Sequence, residues 1–344
     1  MKCSALPRLI MGRWPGARVT FLTSEAHAEL LQGNPHLERV IAFERRTGLG
    51  GLRRLARGLR GEGVDLVVDV HRSLRSRLLC AMLRAPRTAY SKRSLQRWLL
   101  LHWRIHRFPE TPRKEADFLA GLLPWGVRDD GEGTELHVEH LDGEGALSGR
   151  YALEKGRIDR WREEGRPVLG VAPVAAWPLK RWPLAHVRDL LERFLTETRG
   201  AVVVFGGPGE DEVQAVAEAL SGSGARNSEG EASGERVLSL AGRTNLMESA
   251  WFAARCDLML ANDTGMGHIA EAVGVDALVL FGPTTREWGY FPGRPSSRVL
   301  ERSLPCRPCT RTGSGRCTNP APHACLAGLA PETVLETIRE MLRI

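Results

Sequence analysis

Few folds accommodate the stretch Leu258-Met-Leu-Ala-Asn-Asp-Thr-Gly-Met-Gly-His268, continued by Ile269 to Gly274 and then Asp276-Ala-Leu-Val-Leu-Phe-Gly-Pro-Thr284. It reads as a buried strand, a tight polar turn with two glycines, a short helix, and a second strand that stops at Gly282-Pro283. Strands that alternate with helices pair in parallel through right-handed crossovers, so the fold class is α/β. Asn262, Asp263, Thr264 and Gly265 fall where the first-turn amides of the coming helix have no carbonyl partners, a terminus that suits an anion. An Asp or Thr at that place serves equally well as a plain helix cap.

The first half repeats the alternation. Arg18 to Thr23 is a short β-type run, Glu25 to Leu31 a helix, and Gly33-Asn-Pro35 a turn. Val40 to Phe43 is extended, Leu52 to Gly61 is helical by its apolar spacing, and Val64 to Val70 is a strand. Asp69, His71, Arg72 and Arg75 then lie at the carboxyl end of that strand, where open α/β sheets place their ligands. Asp69 suits an acceptor-orienting carboxylate or a helix cap, and Arg72 and Arg75 suit a grip on carboxylates or phosphates. From Arg87 to Lys114, eight Lys and Arg residues are interspersed with Trp98, Leu99, Leu100, Leu101 and Trp103. Those letters fit an interfacial surface or an amphipathic helix packed on the sheet.

A chain of 344 residues is too long for one ordinary core, so two domains are expected, with a Gly- and acid-rich linker over 129–149. Residues 1–120 hold 23 Lys and Arg against 10 Asp and Glu, which makes one half attractive to anions. Nucleic acid, an anionic membrane face and a phosphorylated glycolipid all answer that charge, as does a solvated Arg-rich surface, and no nucleic-acid recognition motif is present. No apolar run approaches bilayer length and Met1 to Ile10 lack a signal-peptide core, so a cytoplasmic location is expected.

In the second half, Pro167 to Pro173 is a strand whose following loop carries Lys180-Arg-Trp-Pro183, cations able to neutralise a diphosphate. After the strand Ala201 to Phe205, the turn Gly206-Gly-Pro-Gly209 brings in Glu210, either a ribose ligand or an acid favoured by the helix dipole. Ser221 to Glu235 is expected to be a mobile surface loop. Trp288, Tyr290 and Phe291 either wall a cleft or pack. Cys306, Cys309, Cys317 and Cys325, with His323, have the first spacing of a zinc site but no regular second pair; reduced thiols in a tight loop fit as well. A last helix is expected over Pro331 to Leu342.

Asp263-Thr-Gly265, His268 three residues on, Phe281-Gly-Pro-Thr284, Lys180-Arg-Trp-Pro183, Phe205-Gly-Gly-Pro208 and the tail from Cys306 stand in an order that resembles the bacterial lipopolysaccharide heptosyltransferases of glycosyltransferase family 9. The resemblance runs over nearly the whole chain. It implies a GT-B fold: two Rossmann-like domains with parallel sheets facing a central cleft, residues 1–150 for the acceptor and 151–330 for the nucleotide sugar. It further implies an inverting, metal-independent transfer of heptose from ADP-heptose to the lipid A–core glycolipid, with no cofactor and with peripheral contact at the cytoplasmic face of the inner membrane. Donor ligands by resemblance are Lys180, Glu210, Asp263, Thr264, Gly265, Met266, Gly267 and His268; Arg72 and Arg75 are expected on the acceptor side.

Two departures from the family pattern bear on chemistry. Family members open with a strand and a Gly-Asp turn whose Asp is the presumed base, ahead of a helix like that expected over Met1 to Arg13. Here that strand and base are absent, which leaves Asp69 as a weak substitute and two readings open: a start site placed downstream of the true one, or a silent nucleotide-sugar or glycolipid binder. Ala175-Ala176 replaces the family's Ser or Thr before Lys180, which removes one hydrogen bond to the donor.

Overall fold

The computed structural model describes residues 1–108, 112–142 and 147–344, so Pro109 to Thr111 of the basic segment and part of the expected linker lie outside the described residues. In the first half, β1 (Thr20–Ser24) pairs in parallel with β2 (Arg39–Phe43), and β3 (Val67–Asp69) pairs in parallel with β4 (Arg87–Ala89). The expected strands are all present, but they form two separate two-stranded sheets rather than one. On one face the helices Gly48–Gly61 and Leu74–Leu83 span both pairs, placing Leu52, Ala56, Leu79 and Leu83 against Leu22, Phe43 and Val67. On the other face Leu66, Val68 and Val70 meet Leu6 and Leu9 of the helix Leu6–Arg13, in keeping with the two-residue period of a strand. Every residue of β1 stays partly exposed, as expected where a parallel strand has a partner on one edge only.

The second half is a single parallel sheet of β5 (Val168–Ala172), β6 (Ala201–Val204), β7 (Val237–Ser239), β8 (Leu258–Asn262), β9 (Ala277–Phe281) and β10 (Arg298–Glu301). Its order is β10-β9-β8-β5-β6-β7. The chain leaves β5 towards β6 and β7, then returns to the opposite side of β5 to lay down β8, β9 and β10. Strand order therefore reverses between β5 and β8, and the crevice outside their carboxyl ends is where such sheets bind ligands. All residues of β5, β8 and β9 are buried, which their uninterrupted apolar letters require when helices cover both faces. Trp161, Trp251, Phe252 and Phe281 fill one face; Trp182, Leu190, Phe194 and, from the last helix, Leu335 and Ile338 fill the other.

Two expectations are refined here. The passage over 221–235 lies largely at the surface, as expected, but it is tied down locally: Asn227 and Ser233 are buried and Arg226 bridges to Ala232. Just beyond it, the buried guanidinium of Arg236 donates to the carbonyls of Leu195 (2.6 Å), Gly200 (2.9 Å) and Thr198 (3.2 Å), satisfying the end of the helix Leu184–Glu197. The linker is likewise more than a solvated tether. Leu136 and Val138 are buried in the second half's core, and the Leu136 N–H donates to the Ala272 carbonyl at 2.7 Å.

The halves meet through cations and carbonyls. Arg97 donates to the Trp288 carbonyl (3.4 Å), Arg104 to those of Pro308 (2.6 Å) and Cys306 (2.9 Å), and Arg113 to that of Gly293 (2.8 Å). The Lys114 N–H donates to the Gly289 carbonyl at 3.0 Å. Part of the basic excess of the first half is therefore spent on the joint. The helix Ser94–Trp103 nonetheless buries only Leu100 and leaves Leu95, Trp98 and Trp103 exposed. Packing against the sheet does not account for its apolar letters.

Candidate functional site

The crevice at the strand reversal is built by side chains that tie three loops together. Asn262, at the end of β8, donates to the Pro173 carbonyl beyond β5 (2.6 Å) and accepts from the Trp182 N–H (3.1 Å). That double bond pair fixes the loop 174–183 over the carboxyl end of the sheet. Lys180 is thereby delivered to Asp263, with Nζ 2.5 Å from Oδ2 and 3.4 Å from the Asp263 carbonyl. Thr284, at the end of the Gly282-Pro283 turn, donates its hydroxyl to the same Oδ2 at 2.6 Å. An ammonium has three N–H donors, so one remains for a ligand.

Asp263 therefore anchors the lysine, and neither it nor Thr264 caps the helix Gly265–Ala272. The Thr264 hydroxyl is buried without a hydrogen-bond partner, at a helix terminus whose first amides also lack side-chain acceptors. The two glycines differ in duty. A Cβ on Gly265 would meet open space, whereas one on Gly267 would sit 3.2 Å from Val279 Cγ2, so Gly267 sets the close approach of helix to sheet. Met266 packs partly into the core beside Ile269.

His268 leaves this helix towards Tyr290, with ring centroids 6.2 Å apart. Burial, reinforced by the charges of Lys2, the chain amine and Lys180, holds its pKa well below the ordinary 6.5, so the ring is neutral at physiological pH. It can donate or accept one hydrogen bond there but supplies no charge. Tyr290 stands between the halves. Arg97 and Asp117 from one and Asp263 and Arg311 from the other all act on its phenol, whose pKa is raised chiefly by burial. Lys114, buried and bonded to Asp117 at 3.3 Å, lies over both the Tyr90 ring (5.5 Å) and the Tyr290 ring (5.7 Å), and desolvation brings its pKa down to about 8.

The remaining candidates lie apart from this cluster. Glu210 ends the loop after β6 and turns its carboxylate back to the Gly207 N–H at 2.7 Å, with one oxygen left over. Arg181 is already committed, to the Ala175 carbonyl (2.7 Å) and to Glu212 (2.6 Å). Asp69 accepts from the N–H groups of His71 (3.1 Å) and Arg72 (2.8 Å) and from the Ser76 hydroxyl (3.1 Å), the bonding of a strand-to-helix turn. Its carboxylate is fully employed in structure. Arg72 joins Arg77, Arg87 and Asp69 around a hollow of about 360 Å³, while Arg75 is exposed beside the Phe43 ring.

Sequence reasoning missed how the cysteine-bearing loop is used. Gly313 packs so close that a Cβ there would lie 2.8 Å from Lys180 Cγ, and Arg307 donates to the Thr284 carbonyl at 2.9 Å. All seven cysteines are free thiols; the His323 N–H donates to Cys317 Sγ and Asn319 to Cys306 Sγ, both at 3.3 Å. No spacing in the sequence signals that this tail buttresses the lysine.

Comparison with known proteins fits this geometry. The model of glycosyltransferase family 9 (heptosyltransferase) matches residues 52–316. Lipooligosaccharide heptosyltransferase 2 of Haemophilus influenzae is 32% identical over 188 residues, a segment covering 52% of this chain and 48% of that protein. Lipopolysaccharide heptosyltransferase 2 of Salmonella typhimurium is 26% identical over 352 residues, covering 99% of this chain and 94% of that protein. In fold, the E. coli ADP-heptose lps heptosyltransferase II superimposes with a TM-score of 0.67 at 23% identity, over 99% of this chain and 94% of that one.

Replacing Asp263 with Asn leaves a mostly buried ammonium without its counter-charge, and should lower the unfolding free energy by about 3–5 kcal/mol. Urea melts would show a lower midpoint at unchanged slope; an unchanged midpoint would contradict the role given to this pair. His268 gives a pH signature. Its depressed folded pKa means that the unfolded chain binds the extra proton, so its contribution is present above 6.5 and is lost as pH falls below that value. Thermal melts of wild type and His268→Gln should therefore converge on acidification from about pH 7.5 to about pH 5, and parallel curves would refute it.

Proposed function

The chain belongs to glycosyltransferase family 9, a family of GT-B enzymes, and on that footing we propose that it transfers a heptose from ADP-heptose to the inner core of lipopolysaccharide. The observation that carries the donor side is the uncapped start of the helix Gly265–Ala272, where Thr264, its hydroxyl buried and unpartnered, directly follows the Asp263 that holds the Lys180 ammonium at the reversal of strand order. Free amides, a hydroxyl and a cation held by Asp263 form a pre-built cradle for a diphosphate. Stabilising the departing diphosphate by these groups and the neutral N–H of His268 needs no metal ion. Glu210, with one free carboxylate oxygen on the neighbouring loop, is proposed for the ribose hydroxyls, and Ala175-Ala176 contributes no side-chain bond.

The acceptor side is proposed at the carboxyl ends of β3 and β4, where Arg72, Arg77 and Arg87 ring a hollow suited to carboxylates or phosphates. Arg75, on the Phe43 ring, stands outside that hollow, which favours Arg72 of the two arginines named from sequence. Asp69 is a poor general base because both of its oxygens already accept hydrogen bonds. Among the described residues, no helix is long and apolar enough to cross a membrane. The exposed Leu95, Trp98 and Trp103, flanked by Arg93, Arg104 and Arg107, support peripheral contact with an anionic bilayer that carries the acceptor.

Two measurements test this reading. With ADP-heptose and a heptose-deficient core acceptor, wild-type protein should release ADP, and Lys180→Ala should lower the rate about 10²–10³-fold; calorimetry showing no ADP-heptose binding at all would end the proposal. In co-sedimentation with anionic vesicles, Trp98→Ser with Trp103→Ser should reduce the bound fraction, while equal binding would place the membrane face elsewhere.

A further inference from the structure

Away from the cleft, the first half and the linker bring together three side chains with metal-ligand chemistry. His36 lies in the connection between β1 and β2, and Glu135 and His137 lie on the extended segment that enters the linker. One ligand atom from each falls within 4.8 Å of the others. His137 Nε2 is 3.6 Å from Glu135 Oε1, and His36 Nε2 is 4.0 Å from Oε2. We infer that these three residues form a binding site for a divalent cation of the zinc class. Metal–ligand bonds of about 2.0–2.2 Å place ligand atoms roughly 3.3–3.6 Å apart, so small side-chain rotations close the set around one ion and leave a fourth position for water.

Three features favour a cation over chance proximity. His137 Nε2 is buried with no hydrogen-bond partner, a cost that a ligand bond removes. Charge is also short by one. Arg8 is shared between Asp130, through bonds of 2.7 and 3.0 Å, and Glu135, so one guanidinium faces two carboxylates. With both imidazoles neutral, as ligation requires, the cluster carries a net negative charge that a divalent ion offsets. Glu135 is oriented from outside as metal-binding carboxylates are: Asn34 Nδ2 donates to Oε1 at 3.3 Å, and Asn34 Oδ1 in turn accepts from the His36 N–H at 2.8 Å.

Glu135 and His137 point to the same side of their segment, and Leu136 between them points the other way into the second half's core. An ion bound here would clasp the linker to the loop 33–36, on the path that joins β1–β2 to the donor helix through the Ala272 carbonyl. This assignment does not rest on the donor reading above.

The test uses the full chain, freed of metal by chelator and titrated with Zn2+. Because the thiols also take zinc, the reading is the difference between wild type and His36→Ala/His137→Ala. Wild type should retain one more zinc per chain and gain a zinc-dependent rise in melting temperature that the double variant lacks. Glu135→Gln, which keeps the shape bonded to Asn34, should weaken that zinc equivalent by more than the roughly 10–100-fold typical of losing an outer partner. With Co2+, the wild-type minus variant spectrum should show d–d bands without a thiolate charge-transfer band. Equal zinc counts and equal melting shifts in all three proteins would overturn the site. So would a stabilisation produced by acid alone in the presence of chelator, which would mark the cluster as a proton-binding pair.

Discussion

One carboxylate oxygen, Asp263 Oδ2, receives both the Lys180 ammonium and the Thr284 hydroxyl, and the geometry of the crevice at the strand reversal depends on that convergence. The three residues come from the loop after β5, the end of β8 and the turn after β9. Each is where it is because the sheet reverses its order between β5 and β8. Asn262 secures the same junction through the backbone of Pro173 and Trp182. A buried ion pair of this kind adds little net stability by itself, but breaking it strands a charge, so it fixes position more than it adds energy. An anion-binding terminus needs that fixity, because its amides act only at short range.

The second half was legible because its signals are local and redundant. Apolar runs of four or five residues, each closed by Gly, Pro or Asn, mark β5, β6, β8 and β9, and the Asp263-Thr264-Gly265 turn can hardly lie anywhere but at a helix start. The role of Asp263 was not legible. Capping and anchoring draw on the same letter, and only the position of Lys180, 83 residues away in sequence, decides between them. Asp69 shows another outcome: the helix cap offered as its alternative falls to Ser73, and Asp69 accepts within the turn ahead of it. The anchoring of the passage over 221–235 was not legible for a similar reason. Gly, Ser and Glu describe a solvated loop until Asn227 and Ser233 are seen to be buried.

The first half is the less regular of the two. Its strands lie close to their expected bounds, yet they pair two by two, and β1 keeps every residue partly exposed where the strands β5, β8 and β9 keep none. Helices on one face hold the two pairs in a common cluster through Leu22 and Val67. Pattern reasoning names strands from local letters, but whether neighbouring strands complete a ladder is a property of the whole sheet. The basic segment was undecided for a comparable reason, because apolar residues at helical spacing do not say what they face; Trp98 and Trp103 face solvent.

Several bonds joining the halves run from guanidinium groups to peptide carbonyls, as at Arg97, Arg104 and Arg113. A carbonyl neither ionises nor neutralises its partner. Those bonds are therefore insensitive to ordinary changes in acidity, and the guanidinium groups of Arg104 and Arg113 keep their charge. The joint between the halves thus carries a fixed positive charge, and its sign draws anions towards the seam.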